Sequence, residues 1–240
     1  MIKITPIGSS SAGNAYHVTD GQTDLLLEAG VRYKDMQRAL NYKMSSIAGC
    51  LISHKHGDHV KYAPDVMRAG IDIYCSKGTA DAAGLEGHRV SHIAKGKRFV
   101  VGTWAIMPFK IEHDVEEPLG FLMANQAGEK LLFATDTYYV RYRFNGLTHI
   151  MIECNYSEVI VERNIQSAPE EVRPQLVSRY RRLLQSHFSL ENLKGFFQAN
   201  DMSRVQEIWL LHLSDANSDE EMFKKEIQGL TGAVVHVARR

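Results

Sequence analysis

Short apolar runs separated by turn residues dominate the first half of the chain. IKITPIG (2–8), AYHV (15–18), DLLLEAG (24–30) and AGCLIS (48–53) are too short for helices and are bounded by Gly, Asn or Ser, so they predict β-strands of one sheet. Helical patterns interleave at YKDMQRALNY (33–42), at a stretch with Pro64 near its start and Gly70 at its stop, and at TADAAGLEG (79–87). A second group of strands is predicted at IDIYC (71–75), RFVVG (98–102), TWAIMPFKI (103–111), GFLMA (120–124) and KLLFAT (130–135).

The pattern changes from about 157 to 205, where SAPEEVRPQLVSRYRRLLQSH (167–187) and SLENLKGFFQAND (189–201) read as helices. This is a helical insertion ahead of the last strands, EIWLLHLSD (207–215) and AVVHVA (233–238). Between those strands Ser218 and Glu221 form a capping box that opens the helix SDEEMFKKEIQGL. Strands alternating with helices predict an α/β fold with helices over both outer faces of sheet, in a single domain, 1–240.

Composition narrows the class. Hydrophobic residues at 44% and charged residues at 23% of 240 exclude disordered and low-complexity chains. No apolar run approaches the roughly 20 residues of a membrane span, and the start MIKITPIGSS lacks a charged-then-apolar signal pattern. The odd set Cys50, Cys75 and Cys154 contains no CxxC pair and reads as free thiols. A cytoplasmic protein with no membrane association is expected. Lys plus Arg equals Asp plus Glu at 28 each, so a nucleic-acid role requires a local basic patch.

The densest chemistry is Ser53-His54-Lys55-His56-Gly57-Asp58-His59, directly after an apolar run. His54 and His56 project to one side of an extended loop, while Asp58 and His59 begin the next turn and face another way, so each pair can serve one metal ion. Imidazole and carboxylate donors suit zinc or manganese, with iron also compatible, and the lack of nearby cysteine favours an open, catalytic site over a closed structural one.

With its HxHxDH motif at His54, His56, Asp58 and His59, the sequence resembles the metallo-β-lactamase fold superfamily of metallohydrolases. The resemblance implies a four-layer αββα sandwich. It further implies that His113, Asp136 and His212, each following a strand candidate, complete the ligands. His54, His56 and His113 would hold one ion and Asp58, His59 and His212 the other, with Asp136 and a hydroxide bridging.

The stretches GSSSAGNAYHV (8–18), LLLEAG (25–30), SHKHGDH (53–59), HDVEEPLGF (113–121), FATDT (133–137), IECNYSE (152–158) and LLHLSDANS (210–218) resemble the YycJ/WalJ-like group along nearly the whole chain. That group is associated with nuclease activity on DNA and lacks the large cap domain of the β-CASP nucleases. It usually carries aspartate where this chain has Glu28, and its Gly-His-Leu-Ser motif reads Ser186-His187-Phe188-Ser189 here.

The expectation is a dinuclear-metal-dependent phosphodiesterase or nuclease acting on DNA or RNA through a metal-bridging hydroxide. Asp58 would orient that hydroxide, and His187 would act as general acid or phosphate ligand. The basic patch is Arg173, Arg179, Arg181 and Arg182, with Tyr180 among them. Ser10, Asn14, Asn155 and Arg182 are candidate substrate contacts, and Glu153 and Asn155 are placed to orient ligands. The alternative is hydrolysis of a small ester, thioester, lactam or cyclic nucleotide by the same metals.

Overall fold

The computed structural model describes residues 1–239, which divide into two compact units. The first comprises Met1–Lys110 and Val115–Phe133 with the C-terminal end from Ala238; the second comprises Ile111–Asp114 and Ala134–Val237.

In the first unit the strands β1 (Lys3–Ser10), β2 (Gly13–Thr19) and β3 (Asp24–Leu27) form an antiparallel meander. After helix α1 (Tyr33–Ala39) the pairing turns parallel through β4 (Ile47–Leu51). Two short helices, α2 (Gly57–Val60) and α3 (Ala63–Arg68), lead to β5 (Ile73–Cys75). Helix α4 (Lys77–Ala83) then connects to β6 (Val90–His92), completing a sheet of order β1-β2-β3-β4-β5-β6. Parallel strands need crossovers, which is why helices appear once the meander ends. The apolar faces meet in a core that includes Leu26, Met36, Ile52, Val66 and Ile73.

Three further strands, β7 (Phe99–Val101), β8 (Trp104–Lys110) and β9 (Leu119–Ala124), pair antiparallel, and β10 (Lys130–Ala134) pairs antiparallel with β9. Trp104 is fully buried and donates its indole N–H to the Thr23 carbonyl at 3.1 Å. Burial of so large a ring therefore leaves no polar atom unsatisfied.

The second unit has three parallel strands, β11 (His149–Glu153), β12 (Glu207–Leu211) and β13 (Val234–Val237), in the order β13-β12-β11. Between β11 and β12 lie α5 (Glu158–Ser167), α6 (Arg173–Ser186) and α7 (Leu190–Ala199); α8 (Glu220–Thr231) precedes β13. β11 is buried at every position, as a strand covered on both faces must be. Phe196, Phe197, Phe223 and Ile227 of α7 and α8 are buried.

The α/β alternation and the helical insertion expected from the sequence are present. IDIYC (71–75), expected in the second group of strands, instead pairs as β5 in the first sheet, and of the boundaries that differ three have a plain physical reason. The helix expected over 167–187 occupies only Arg173–Ser186, with Pro174 in its first turn, and a separate helix, α5, precedes it at Glu158–Ser167. The last helix is capped by Asp219, whose side chain accepts the Met222 N–H, while Ser218 Oγ donates to the Ser214 carbonyl at 2.6 Å. The strand expected over 207–215 ends at Leu211, since His212 turns into the left-handed region at φ 54°.

Candidate metal centre

The HxHxDH loop leaves β4 and closes on α2. His54 and His59 are fully buried, with ring centroids 4.2 Å apart. The His54 Nε2 and His56 Nδ1 atoms converge to 3.1 Å. His54 Nδ1 lies 2.8 Å from Ser53 Oγ, so a proton on Nδ1 is satisfied there and Nε2 keeps its lone pair. A second convergent pair is Asp58 Oδ2 and His59 Nε2, 3.3 Å apart. Within each pair, therefore, two donor atoms lie close together.

Two buried side chains hold this loop. The Glu28 carboxylate accepts the Ser53 N–H at 3.2 Å and stands 3.5 Å from His59 Nδ1. Burial raises the Glu28 carboxyl above its usual range, against the opposing pull of His59 and Ser53. Asn14, also fully buried, places its amide nitrogen 3.2 Å from Asp58 Oδ2 and 3.1 Å from His59 Nε2, and donates to the Ser10 carbonyl at 3.1 Å. Ser10 itself is half-buried at the end of β1. Glycine is required where β3 exits, because a Cβ on Gly30 would overlap the Asp58 carbonyl.

In the second unit, Asp136, Glu153, His187 and His212 each offer a ligand atom within 4.8 Å of one another. Glu153, buried at the end of β11, organises them. Its Oε1 is 2.6 Å from His187 Nδ1 and 3.1 Å from His212 Nδ1, and its Oε2 accepts the N–H groups of Thr137 at 3.0 Å and Phe188 at 3.2 Å. Burial alone would raise its carboxyl pKa; the His187 and His212 imidazoles outweigh that and hold it below the usual range. Asn155 donates its amide N–H to the His212 carbonyl at 2.7 Å. His113 has a side chain 2% exposed and a ring centroid 6.2 Å from that of His187.

Three of these acids and histidines sit in strained backbone just past strand ends. Glu28 follows β3 with φ 66°, Asp136 follows β10 with φ 44°, and His212 follows β12 with φ 54°. Non-glycine residues held in this region cost about 1–3 kcal/mol each, and such residues gather at functional sites. The residue types at these positions gave no sign of the strain. Glu153 was expected to orient ligands, but which histidines it holds was not legible, because the contacts span sequence separations of 34 and 59 residues. The one local cue was Ser53, whose hydroxyl precedes the histidine it orients.

Helix α6 carries Arg173, Arg179, Arg181 and Arg182 without an acidic residue, and all four are exposed. Arg173 is engaged with the carbonyls of Ala168 and Gln166. The helix ends at His187, its C-cap residue.

The donor chemistry fits divalent ions: imidazoles and carboxylates, most of them buried, with one ring nitrogen of His54 beside Ser53, of His59 beside Glu28 and of His212 beside Glu153. The family described as Beta-lactamase superfamily domain matches residues 20–176. Exodeoxyribonuclease YycJ of Bacillus anthracis is 27% identical over 153 residues, covering 59% of this chain and 56% of that protein's length. Exodeoxyribonuclease WalJ of Streptococcus pneumoniae serotype 2 is 26% identical over 235 residues, covering 92% of this chain and 84% of that one. The solved structure of the metallo-beta-lactamase fold protein YhfI from Bacillus subtilis superposes with a TM-score of 0.72 at 16% identity, over 99% of this chain and 96% of the other.

Proposed function

We propose that this chain, which belongs to the beta-lactamase superfamily, is a dinuclear-metal phosphodiesterase that cleaves nucleic acid. The observation that carries the reading is the Glu153–His187 pair: a buried carboxylate held to an imidazole at 2.6 Å, in the same cluster as Asp136 and His212. The names of the exodeoxyribonuclease relatives support a nucleic-acid substrate.

His54, His56, His113, Asp58, His59, Asp136 and His212 are the proposed ligands, with zinc or manganese as the metals. Bound divalent ions supply hydroxide at neutral pH and offset the charge that builds on phosphoryl oxygens. The protein's own groups do the rest. Glu28 and Asn14 fix the carboxylate and imidazole of Asp58 and His59, and Ser53 fixes the His54 tautomer. Glu153 stays ionised and stabilises a protonated His187, whose Nε2–H donates to the departing sugar oxygen. His187 is 19% exposed on its side chain, enough for a leaving group to reach it.

Arg179, Arg181 and Arg182 give a chain of zero formal net charge the local basic stripe that a phosphate backbone needs. Ser10, Asn14 and Asn155 belong to the same proposed substrate-facing set, with Asn14 and Asn155 acting through the ligands they hold. The cytoplasm is the proposed compartment, supported by Cys50, Cys75 and Cys154 all being buried and free. No helix among the described residues is long and apolar enough to cross a membrane. The test is cleavage of labelled single- and double-stranded DNA and RNA by chelated protein resupplied with manganese or zinc. Metal-dependent cutting of at least one nucleic acid is expected.

A further inference from the structure

A recess of about 530 Å³ lies in the first unit, outside both histidine clusters, where the β1–β2 turn, the exit of β3 and the residues after α2 come together. That volume is within the roughly 300–1,000 Å³ typical of small-ligand sites. Part of its lining is bare backbone. A Cβ on Gly8 would lie 2.9 Å from the Gly13 carbonyl oxygen, and one on Gly13 would lie 2.6 Å from that of Gly30. These glycines let three segments approach without side chains filling the space.

The rest of the lining is charged and aromatic. Arg32, Lys61 and Tyr62 face the recess, with Asp35 as its one carboxylate. Asp35 is shared by two guanidinium groups, accepting from Arg32 Nε at 2.9 Å and from Arg38 Nη1 at 3.4 Å. Lys61 has no carboxylate partner among the described residues; its Nζ stands 5.6 Å from the Tyr62 ring centroid. The lining therefore carries surplus positive charge beside an aromatic face, a combination that suits a phosphate joined to a flat ring.

The recess also shares backbone with the HxHxDH loop. Tyr62 N–H donates to the Ala29 carbonyl at 2.8 Å, and Ala29 N–H donates to the His59 carbonyl at 2.7 Å. Lys61 is the second residue after His59.

We infer that this recess is a nucleotide subsite, with Lys61 and Arg32 on a phosphate and Tyr62 against the base or sugar. It rests on the nucleic-acid reading above and takes a nucleotide that flanks the scissile phosphate. Removing Lys61 weakens substrate capture more than turnover, because the subsite is bound in the ground state and the transition state alike.

The test is an amide chemical-shift titration of the full chain with thymidine 5′-monophosphate, in parallel with thymidine and inorganic phosphate. The monophosphate is expected to move the Gly8, Gly13 and Lys61 signals, phosphate to move them more weakly, and thymidine least. Lys61→Glu, and independently Arg32→Gln, should each weaken monophosphate binding about tenfold, the size expected for one lost charge-assisted contact. In oligonucleotide cleavage Lys61→Glu should raise KM with kcat changed far less. Unmoved signals at these residues, or unchanged affinity in both variants, would overturn the subsite. The titration does not depend on cleavage. A chain that binds the monophosphate here yet cuts no nucleic acid sustains the subsite and overturns the nuclease reading, whereas one that cuts without these shifts does the reverse.

Discussion

Glu153 and His187 are joined by a short polar contact in the histidine–carboxylate cluster of the second unit, with Oε1 and Nδ1 2.6 Å apart. The same oxygen faces His212 Nδ1 at 3.1 Å, so one carboxylate sets the orientation of two imidazoles. Glu153→Gln keeps the shape and removes the charge. Loss of such a supporting group lowers activity or metal affinity by about 10–100-fold. The variant should fold, and kinetics measured beside metal content should show that fall.

His187→Ala separates the proton-donor role from ligation. Turnover should fall about 10²-fold or more, the range of general acid catalysis, with bound metal reduced much less. Equal loss of metal and activity, read by elemental analysis of the purified variant, would make His187 a ligand instead.

Gly30→Ala probes the packing under the loop. Its Cβ would collide with the Asp58 carbonyl, and backbone cannot yield as the end of a flexible side chain can. Overpacking of this kind costs at least about 1–3 kcal/mol, so thermal unfolding should show a clearly lower Tm. Gly195→Ala on α7, where a Cβ meets nothing within 4 Å, should leave Tm unchanged or slightly higher.

Arg179→Ala and Arg182→Ala test the basic helix. If both contact phosphates, binding of single-stranded DNA should weaken across all sequences, and the slope of log K against log salt should shrink by about 0.7 for each arginine removed. Binding isotherms at several salt concentrations read this directly.

How much of this was visible beforehand follows from where each interaction lies in the sequence. Local patterns carried most of the strands and the helical insertion, because these are set within a few residues. Left-handed backbone at Glu28, Asp136 and His212 was invisible, since nothing about a Glu, Asp or His favours it over the ordinary regions; the surrounding fold imposes it. Glu28 stands where the resembling group usually carries aspartate, and its carboxylate reaches both the Ser53 N–H and the neighbourhood of His59 Nδ1. The helix start at Asp219 was missed for a simpler reason. Two residues competent to cap stand side by side, and Ser218 is committed to the Ser214 carbonyl.

The most direct test of the central claim is hydrolysis by the wild type and by Asp136→Ala, each chelated and then resupplied with manganese or zinc. Labelled single- and double-stranded DNA and RNA should be assayed alongside bis-p-nitrophenyl phosphate. The account predicts metal-dependent cutting of a nucleic acid by the wild type and its loss in a folded Asp136→Ala protein. Full activity in that variant would contradict the dinuclear mechanism, and wild-type activity confined to the small diester would contradict the nuclease reading.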